Sequence, residues 1–92
     1  MLTIKRTSCF KDDLKRCIKR HYPIEELEFV VNTLAAESQL DEKYRDHPLS
    51  GNWAGYRECH IRPDWLLIYG IDNEQLILTL TKTGTHAELF NM

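Results

Sequence analysis

The run Trp65-Leu66-Leu67-Ile68-Tyr69 decides the fold, because it is apolar or aromatic at every position. Successive side chains of a β-strand point to opposite faces of its sheet, so this run predicts a strand that is buried on both faces. We therefore place it at the centre of a small sheet, and we expect helices to cover one of its faces.

The segments 53–61 and 75–81, on either side of this strand, are rich in aromatic and β-branched residues. Turn residues separate them from the central strand, with Arg-Pro-Asp at 62–64 and Asp-Asn-Glu at 72–74. Consecutive strands joined by tight turns predict an antiparallel meander. The polar residues 39–52 ahead of the meander are predicted to form a loop.

The N-terminal part is predicted to be a short strand, residues 2–6, followed by two amphipathic helices, with Thr7 or Ser8 able to cap the first helix. The apolar stripes of the two helices are Phe10, Leu14, Cys17, Ile18 and His21, and then Ile24, Leu27, Val30, Val31 and Leu34. Pro23 separates the helices, and the second runs to about residue 38. We therefore predict an α+β fold, with an N-terminal strand and a two-helix hairpin packed on a small, mostly antiparallel sheet.

The composition is that of an ordinary globular protein, with 42% apolar and 28% charged residues. Ninety-two residues suffice for one modest core, so residues 1–92 are expected to form a single domain. No apolar run approaches the length of a membrane span, and the N-terminus lacks the pattern of a signal peptide, so we expect a cytoplasmic protein without a membrane partner. The odd set Cys9, Cys17 and Cys59 has no CxxC spacing and predicts free thiols.

The charge is distributed unevenly along the chain. Residues 1–22 carry seven lysines and arginines against two aspartates, whereas residues 23–42 carry six acidic residues and no basic one. The basic first helix is either a solvated face or a surface that binds phosphates or an acidic partner protein.

Three histidines lie in short polar phrases rather than in the predicted helices. His47 precedes Pro48, which restricts its backbone, and His60 and Asp64 flank a predicted turn, where a carboxylate can orient the imidazole or act as a base itself. His86 follows a glycine turn near the C-terminus. Histidine titrates near neutral pH, so a cluster of these residues would suit proton transfer without a cofactor. Each histidine taken alone also has a structural explanation.

The chain has no phosphate-binding loop and no dinucleotide motif. Cys59 precedes His60, but alternation along a strand would point the two side chains to opposite faces, so a nucleophilic enzyme is weakly supported. RNA scission by the neighbouring 2′-hydroxyl needs neither a protein nucleophile nor a metal. It needs a base, an acid and a cation near the phosphate, and Lys82, Arg57 or Arg62 can supply the cation. Phe90, near the end of the chain, can stack on an RNA base.

Five phrases together resemble the YafQ branch of the RelE/ParE superfamily. They are Tyr44-Arg45-Asp46-His47-Pro48-Leu49, Gly51-Asn52-Trp53, Gly55-Tyr56-Arg57-Glu58-Cys59-His60-Ile61, Pro63-Asp64-Trp65-Leu66-Leu67-Ile68-Tyr69 and Thr83-Gly84-Thr85-His86-Ala87-Glu88-Leu89-Phe90. The similarity runs from about residue 43 to the C-terminus, and it implies a RelE-like fold. It also implies a bacterial type II toxin that cuts mRNA in the ribosomal A site and is neutralised by a cognate antitoxin.

The resemblance implies a catalytic set of His47, His60, Asp64 and His86, with Phe90 stacking on a base and Trp65 beside the site. On this basis His86 is the expected general acid, and His60, helped by Asp64, is the expected base, although the two labels can be exchanged. His47 would bind phosphate or share the proton transfer. Lys82 stands where the family usually has arginine, which keeps the charge but loses the planar fork of a guanidinium.

Three other interpretations remain open. A ParE-type toxin acting on DNA gyrase would share the superfamily, but such toxins lack the histidine set. A metal site could use the same histidines and aspartate, although the chain has no paired-ligand helix motif. An inactive homologue that only binds the antitoxin is the third.

Overall fold

The computed structural model describes residues 1–90 of the 92-residue chain, so the last two residues of the expected 1–92 domain lie outside the described part. The strands are β1 (Thr3–Arg6), β2 (His47–Pro48), β3 (Arg57–Arg62), β4 (Trp65–Asp72) and β5 (Ile77–Gly84). The helices are α1 (Ser8–Lys19), α2 (Ile24–Ala35) and α3 (His86–Phe90), and single turns of 3₁₀-helix cover Glu42–Tyr44 and Gly51–Trp53.

The five strands form one sheet in the order β1-β5-β4-β3-β2. Only β1 and β5 run parallel, and every other neighbouring pair is antiparallel. The predicted α+β class, the mostly antiparallel sheet and the central position of residues 65–69 are therefore confirmed. Those five residues are at most 2% exposed.

The two faces of β4 pack against different helices. Trp65, Leu67 and Tyr69 belong to the main core, which α1 and α2 complete with residues such as Phe10 and Val30. Leu66 and Ile68 lie on the other face and form a smaller cluster with Leu89 of α3. Because this cluster is small, little apolar area is buried between α3 and the second face of the sheet.

Several predicted boundaries were wrong. The strand predicted at 53–61 begins only at Arg57, since Gly51–Trp53 forms a helical turn, and the strand predicted at 75–81 is Ile77–Gly84. The second helix ends at Ala35 rather than near residue 38. The predicted loop 39–52 contains a helical turn and β2, so it carries an edge strand of the sheet.

The first helix begins as predicted, because the Thr7 hydroxyl accepts a hydrogen bond of 3.0 Å from the Phe10 amide. The assignment of His21 to the apolar stripe of the first helix was wrong. The helix ends at Lys19, and His21 follows in an exposed left-handed conformation with φ of 60°. Ile18 was also assigned to the apolar stripe, but it is 53% exposed.

The three cysteines are all free, as the sequence predicted. Cys17 and Cys59 are buried and Cys9 is exposed. Burial raises the pKa of the Cys59 thiol far above its ordinary value, so this group is not a nucleophile at neutral pH. Across residues 1–90, no helix is both long and apolar enough to cross a membrane.

Candidate active site

Three histidines lie in a row on the α3 face of the sheet. His47 on β2 stands opposite Glu58 on β3. His60, two residues after Glu58 on the same strand, stands opposite Leu66 on β4. Directly opposed residues share a face, so these side chains project toward α3. His86, the first residue of α3, completes the row. The ring centroids are 6.2 Å apart for His47 and His60 and 5.6 Å apart for His60 and His86.

Glu58 joins two of these imidazoles and was missed from the sequence. Its Oε1 atom lies 3.1 Å from His60 Nε2 and 3.9 Å from His86 Nε2. The Glu58 side chain is only 6% exposed, whereas that of His86 is 43% exposed. Alternation along β3 places Glu58 and His60 on the same face, so the spacing of two residues was the signal that could have identified Glu58.

We predicted that Asp64 pairs with His60, and this was wrong, because Asp64 contacts His86 instead. Its Oδ1 atom lies 3.4 Å from His86 Nδ1 and accepts a hydrogen bond of 3.3 Å from the His86 amide. The reason is an irregularity in the β3–β4 register after His60, where Arg62 rather than Ile61 stands opposite Trp65. The turn consequently directs Asp64 toward the start of α3.

Backbone carbonyl oxygens lie next to the Nδ1 atoms of His47 and His60. His47 Nδ1 donates to the Arg45 carbonyl over 2.6 Å, and since a carbonyl only accepts, the proton must sit on Nδ1. His60 Nδ1 lies 3.4 Å from the Pro63 carbonyl. Both ring nitrogens of His60 therefore face oxygen acceptors, which fixes the orientation of the ring.

Phe90 stands beside the histidine row. It follows His86 by one turn of α3, and the two rings are 6.3 Å apart. Trp53 meets Phe90 edge-on at 6.2 Å and packs against the same cluster. Both aromatic side chains are only half-buried, so they can offer ring surface to a base.

The position of α3 depends on polar contacts made by Glu88. Thr85 and Glu88 form a capping box, in which the Thr85 amide donates to Glu88 Oε1 at 3.0 Å and the Glu88 amide donates to Thr85 Oγ1 at 3.2 Å. Two ion pairs add to this: Arg16 Nε of α1 and Nη1 of Arg20, the residue after α1, each lie 2.8 Å from Glu88 Oε2. Gly84 allows this close approach, since a Cβ there would lie 2.9 Å from Glu88 Oε1.

We predict that Glu88→Gln lowers the free energy of unfolding by about 1–2 kcal/mol, because it removes a charge-assisted cap and two ion pairs. Burial raises the pKa of Glu88, but the Thr85 hydrogen bond and the two arginines outweigh it, so the pKa lies below its ordinary value of 4.5. A carboxylate with a lowered pKa stabilises the fold above its unfolded pKa, and the effect is lost as the pH falls through the folded pKa. The difference from wild type should therefore be constant near neutrality and shrink below about pH 4.5.

Urea unfolding at pH 7 and at pH 3.5 measures this difference, with the exposed turn residue Glu74 changed to glutamine as a charge-matched control. Equal stability of Glu88→Gln and Glu74→Gln at pH 7 would contradict the role of Glu88.

Three of the expected substrate-binding residues lie elsewhere. Arg57 is three residues before His60, so it occupies the opposite face, where its guanidinium pairs with Asp46. Arg62 pairs with Glu26 of α2 through Nε at 3.1 Å, since the irregularity after His60 turns it toward the helices. Both expectations of a phosphate contact are corrected.

Trp65 was expected beside the substrate but lies in the main core, where it is 2% exposed. Its Nε1 donates to Thr83 Oγ1 at 2.9 Å, and its ring meets Tyr22 edge-on at 5.0 Å. Trp65 therefore supports the sheet from the face opposite the histidine row and offers almost no surface to a ligand. Lys82 stands opposite Ile68 on the histidine face and is half-buried, so it remains the candidate cation of the original set.

The same cluster has the composition of a metal site. Glu58, His60 and His86 each offer one ligand atom, and these atoms all lie within 4.8 Å of one another. A carboxylate with two imidazoles is a donor set that zinc and copper accept. The site therefore has two chemical capacities, acid–base catalysis and metal binding.

Comparisons with known proteins place the chain in a family. Residues 2–91 match the profile of the bacterial toxin YafQ of type II toxin-antitoxin systems. The chain is 39% identical over 88 residues to the mRNA interferase toxin YafQ of Escherichia coli strain K12, covering 95% of this chain and 94% of that protein.

Two solved structures show the same fold over 98% of this chain. The YafQ subunit of the E. coli DinJ–YafQ complex superposes with a TM-score of 0.89 at 37% identity, covering 98% of this chain and 99% of that one. A metal-bound toxin from Helicobacter pylori superposes with a TM-score of 0.93 at 44% identity, covering 98% and 100%. The chain therefore belongs to the YafQ family of toxins from type II toxin–antitoxin systems.

Proposed function

We propose that this chain is a type II toxin that cleaves mRNA in the ribosomal A site and is held inactive by a cognate antitoxin. The observation that carries the proposal is the buried Glu58 carboxylate between His60 and His86, with Phe90 beside the second ring. The E. coli relative named an mRNA interferase supports the activity, and the DinJ–YafQ complex supports an antitoxin partner. An mRNA target implies action in the cytoplasm, by one domain that spans residues 1–92.

The proposed reaction is attack of a ribose 2′-oxygen on the adjacent phosphorus. A base removes the 2′-hydroxyl proton, the new P–O bond closes a 2′,3′-cyclic phosphate, and the 5′-oxygen leaves with a proton from an acid. His60 with Glu58 serves as the base, and His86, oriented by Asp64, serves as the acid. The two rings are close enough to act on opposite sides of one phosphate.

The charge of the reacting phosphate needs a cation and further donors. His47 projects from the same face as His60 and can donate to a phosphate oxygen or share the proton transfer. Lys82 lies on the same face of the sheet as the histidine row, and we propose that it stabilises the negative charge of the reacting phosphate. Phe90 is proposed to stack on the base beside the cut.

Metal-dependent hydrolysis is the second candidate, because Glu58, His60 and His86 form a possible ligand set and a related toxin from H. pylori has been solved with metal bound. A metal ion there would occupy the nitrogens that the acid–base mechanism needs. The two mechanisms are therefore exclusive at this site and give opposite responses to chelation.

One experiment separates these functions. The purified protein is dialysed against EDTA, returned to magnesium buffer and mixed with free mRNA or with mRNA-programmed ribosomes, and new 5′ ends are mapped by primer extension. New ends on the programmed ribosomes alone support the proposal. Cleavage that disappears after dialysis and returns with zinc would instead support the metal mechanism. No new ends, together with inhibition of DNA gyrase, would favour a ParE-type target.

A further inference from the structure

A groove opens next to the histidine row, between the Glu42–Tyr44 turn, the start of α2 and the end of β3. Its volume is about 540 Å³, within the range of ligand pockets. The groove is lined by Glu26, Lys43, Tyr44, Arg45, His60, Ile61, Arg62 and Pro63. His60 forms part of its wall, so a chain bound in the groove would contact a residue of the proposed active site.

Two cations of this groove have no acidic partner. Arg62 is paired with Glu26, the only carboxylate of the lining, whereas no carboxylate of residues 1–90 forms a salt bridge with Lys43 or Arg45. Both side chains are exposed. Lys43 acts on Glu26 only as a more distant charge, so both cations remain able to bind an anion, whereas Arg57 and Arg62 are held in ion pairs.

The backbone that carries these cations is held in place. The Asp41 carboxylate accepts a hydrogen bond of 3.0 Å from the Lys43 amide, and the Lys43 ammonium lies 5.2 Å from the centroid of the Tyr44 ring. Arg45 has φ of 50°, a left-handed conformation that is uncommon for arginine, and its carbonyl accepts the proton of His47 Nδ1. Arg45 is thus directly linked to the proposed site.

The next residue, Asp46, anchors the same loop to the sheet. Its Oδ1 accepts a hydrogen bond of 2.6 Å from the Tyr69 hydroxyl and lies 3.3 Å from Arg57 Nε. Burial and this hydrogen bond raise the pKa of Tyr69, so the hydroxyl keeps its proton and remains a donor. A preorganised loop loses little entropy when it binds a ligand.

We propose that Lys43 and Arg45 bind the phosphodiester next to the scissile one in single-stranded RNA. This inference rests on the proposed function and extends it, since it adds a second phosphate-binding position outside the histidine row. RNA is favoured over an acidic protein segment because the groove shares His60, and through Arg45 also His47, with the proposed site of cleavage. A basic, preorganised groove that follows the backbone is typical of single-strand binding.

The test compares two double variants that remove the same charge. Lys43→Gln/Arg45→Gln alters the groove, and Lys5→Gln/Arg6→Gln alters an exposed pair on β1, at the far edge of the sheet from β2. Binding to a short single-stranded RNA with 2′-O-methyl groups at every ribose, which cannot be cleaved, is measured by fluorescence anisotropy at several salt concentrations. We expect the groove variant to bind about 10-fold more weakly at low salt, with a salt slope smaller by about 1.4 for two lost contacts.

The β1 variant is expected to bind within about twofold of wild type. Equal affinity of the groove variant and wild type, or an equal loss in both variants, overturns the inference. Thermal unfolding of both variants checks that the fold is retained. On programmed ribosomes the groove variant should raise KM and leave kcat within about threefold, because no group of the proposed chemistry is changed.

The same measurements separate this inference from the proposed function. If wild type cleaves mRNA and the groove variant keeps full RNA affinity, only the groove assignment fails. If wild type binds the RNA through the groove but never cleaves mRNA, only the proposed function fails. If wild type neither binds nor cleaves, both fail.

Discussion

Replacement of His86 by asparagine is expected to lower the rate of mRNA cleavage by about 10²–10⁴-fold, the usual contribution of a general acid or base. Asparagine keeps a polar side chain at the start of α3 and can still donate a hydrogen bond to Asp64. It cannot transfer a proton at neutral pH, so the leaving 5′-oxygen would depart without its acid. Single-turnover cleavage on programmed ribosomes measures this loss directly.

The matched control for this variant is His21→Asn. His21 is exposed, lies outside the histidine row and has a left-handed backbone conformation that asparagine tolerates well. Its rate should stay within about twofold of wild type. A rate for His86→Asn that equals that of His21→Asn would contradict any role of His86 in proton transfer.

The position of α3 explains why His86 and Phe90 could be named from the sequence but not placed. A helix of five residues is too short to show helical periodicity, so residues 86–90 appeared only as a tail after a glycine turn. The helix is held by Glu88 and by Arg16 and Arg20, which lie about seventy residues earlier in the chain. Such long-range ion pairs leave no local pattern in a sequence.

The alternation of side chains along a strand already predicts that Arg57 and Trp65 lie on the face opposite His60. Arg57 is an odd number of residues from His60, which already places it on the opposite face of β3. Trp65 likewise lies on the face opposite Leu66, the residue that stands across from His60. Arg62 is different, because simple alternation puts it beside His60, and only the register irregularity moves it to Glu26. An irregularity of this kind is set by tertiary packing and could not be predicted.

The central strand was predicted correctly because its signal is local and strong. Residues 65–69 are apolar on both faces, and both faces proved to be covered. The main core on the α1–α2 face supplies most of the buried apolar residues, and the α3 face supplies few. The face that carries the histidine row is therefore the less apolar one, which leaves room for the histidines and Glu58.

Glu58→Gln is expected to reduce the cleavage rate by about 10²-fold or more, because neutralising the carboxylate beside the histidine of a catalytic triad costs about 10⁴-fold. Glutamine has nearly the same shape and can still hydrogen-bond to His60, but it no longer stabilises positive charge on either ring. RNA affinity should be unchanged, because Glu58 lies beneath the imidazoles and is only 6% exposed.

The comparison with Asp64→Asn decides which acid supports the reaction. Asp64 is 70% exposed, and its contact with His86 is 3.4 Å long, so solvent screens it and its loss should cost only about 10-fold. A larger loss for Asp64→Asn than for Glu58→Gln would show that the contact of Asp64 with His86, rather than Glu58, supports the reaction. Stability provides the second readout, because replacing a buried carboxylate with a neutral amide removes a desolvation cost. Glu58→Gln should therefore keep or raise the Tm while it lowers the rate, a combination that loss of folding cannot produce.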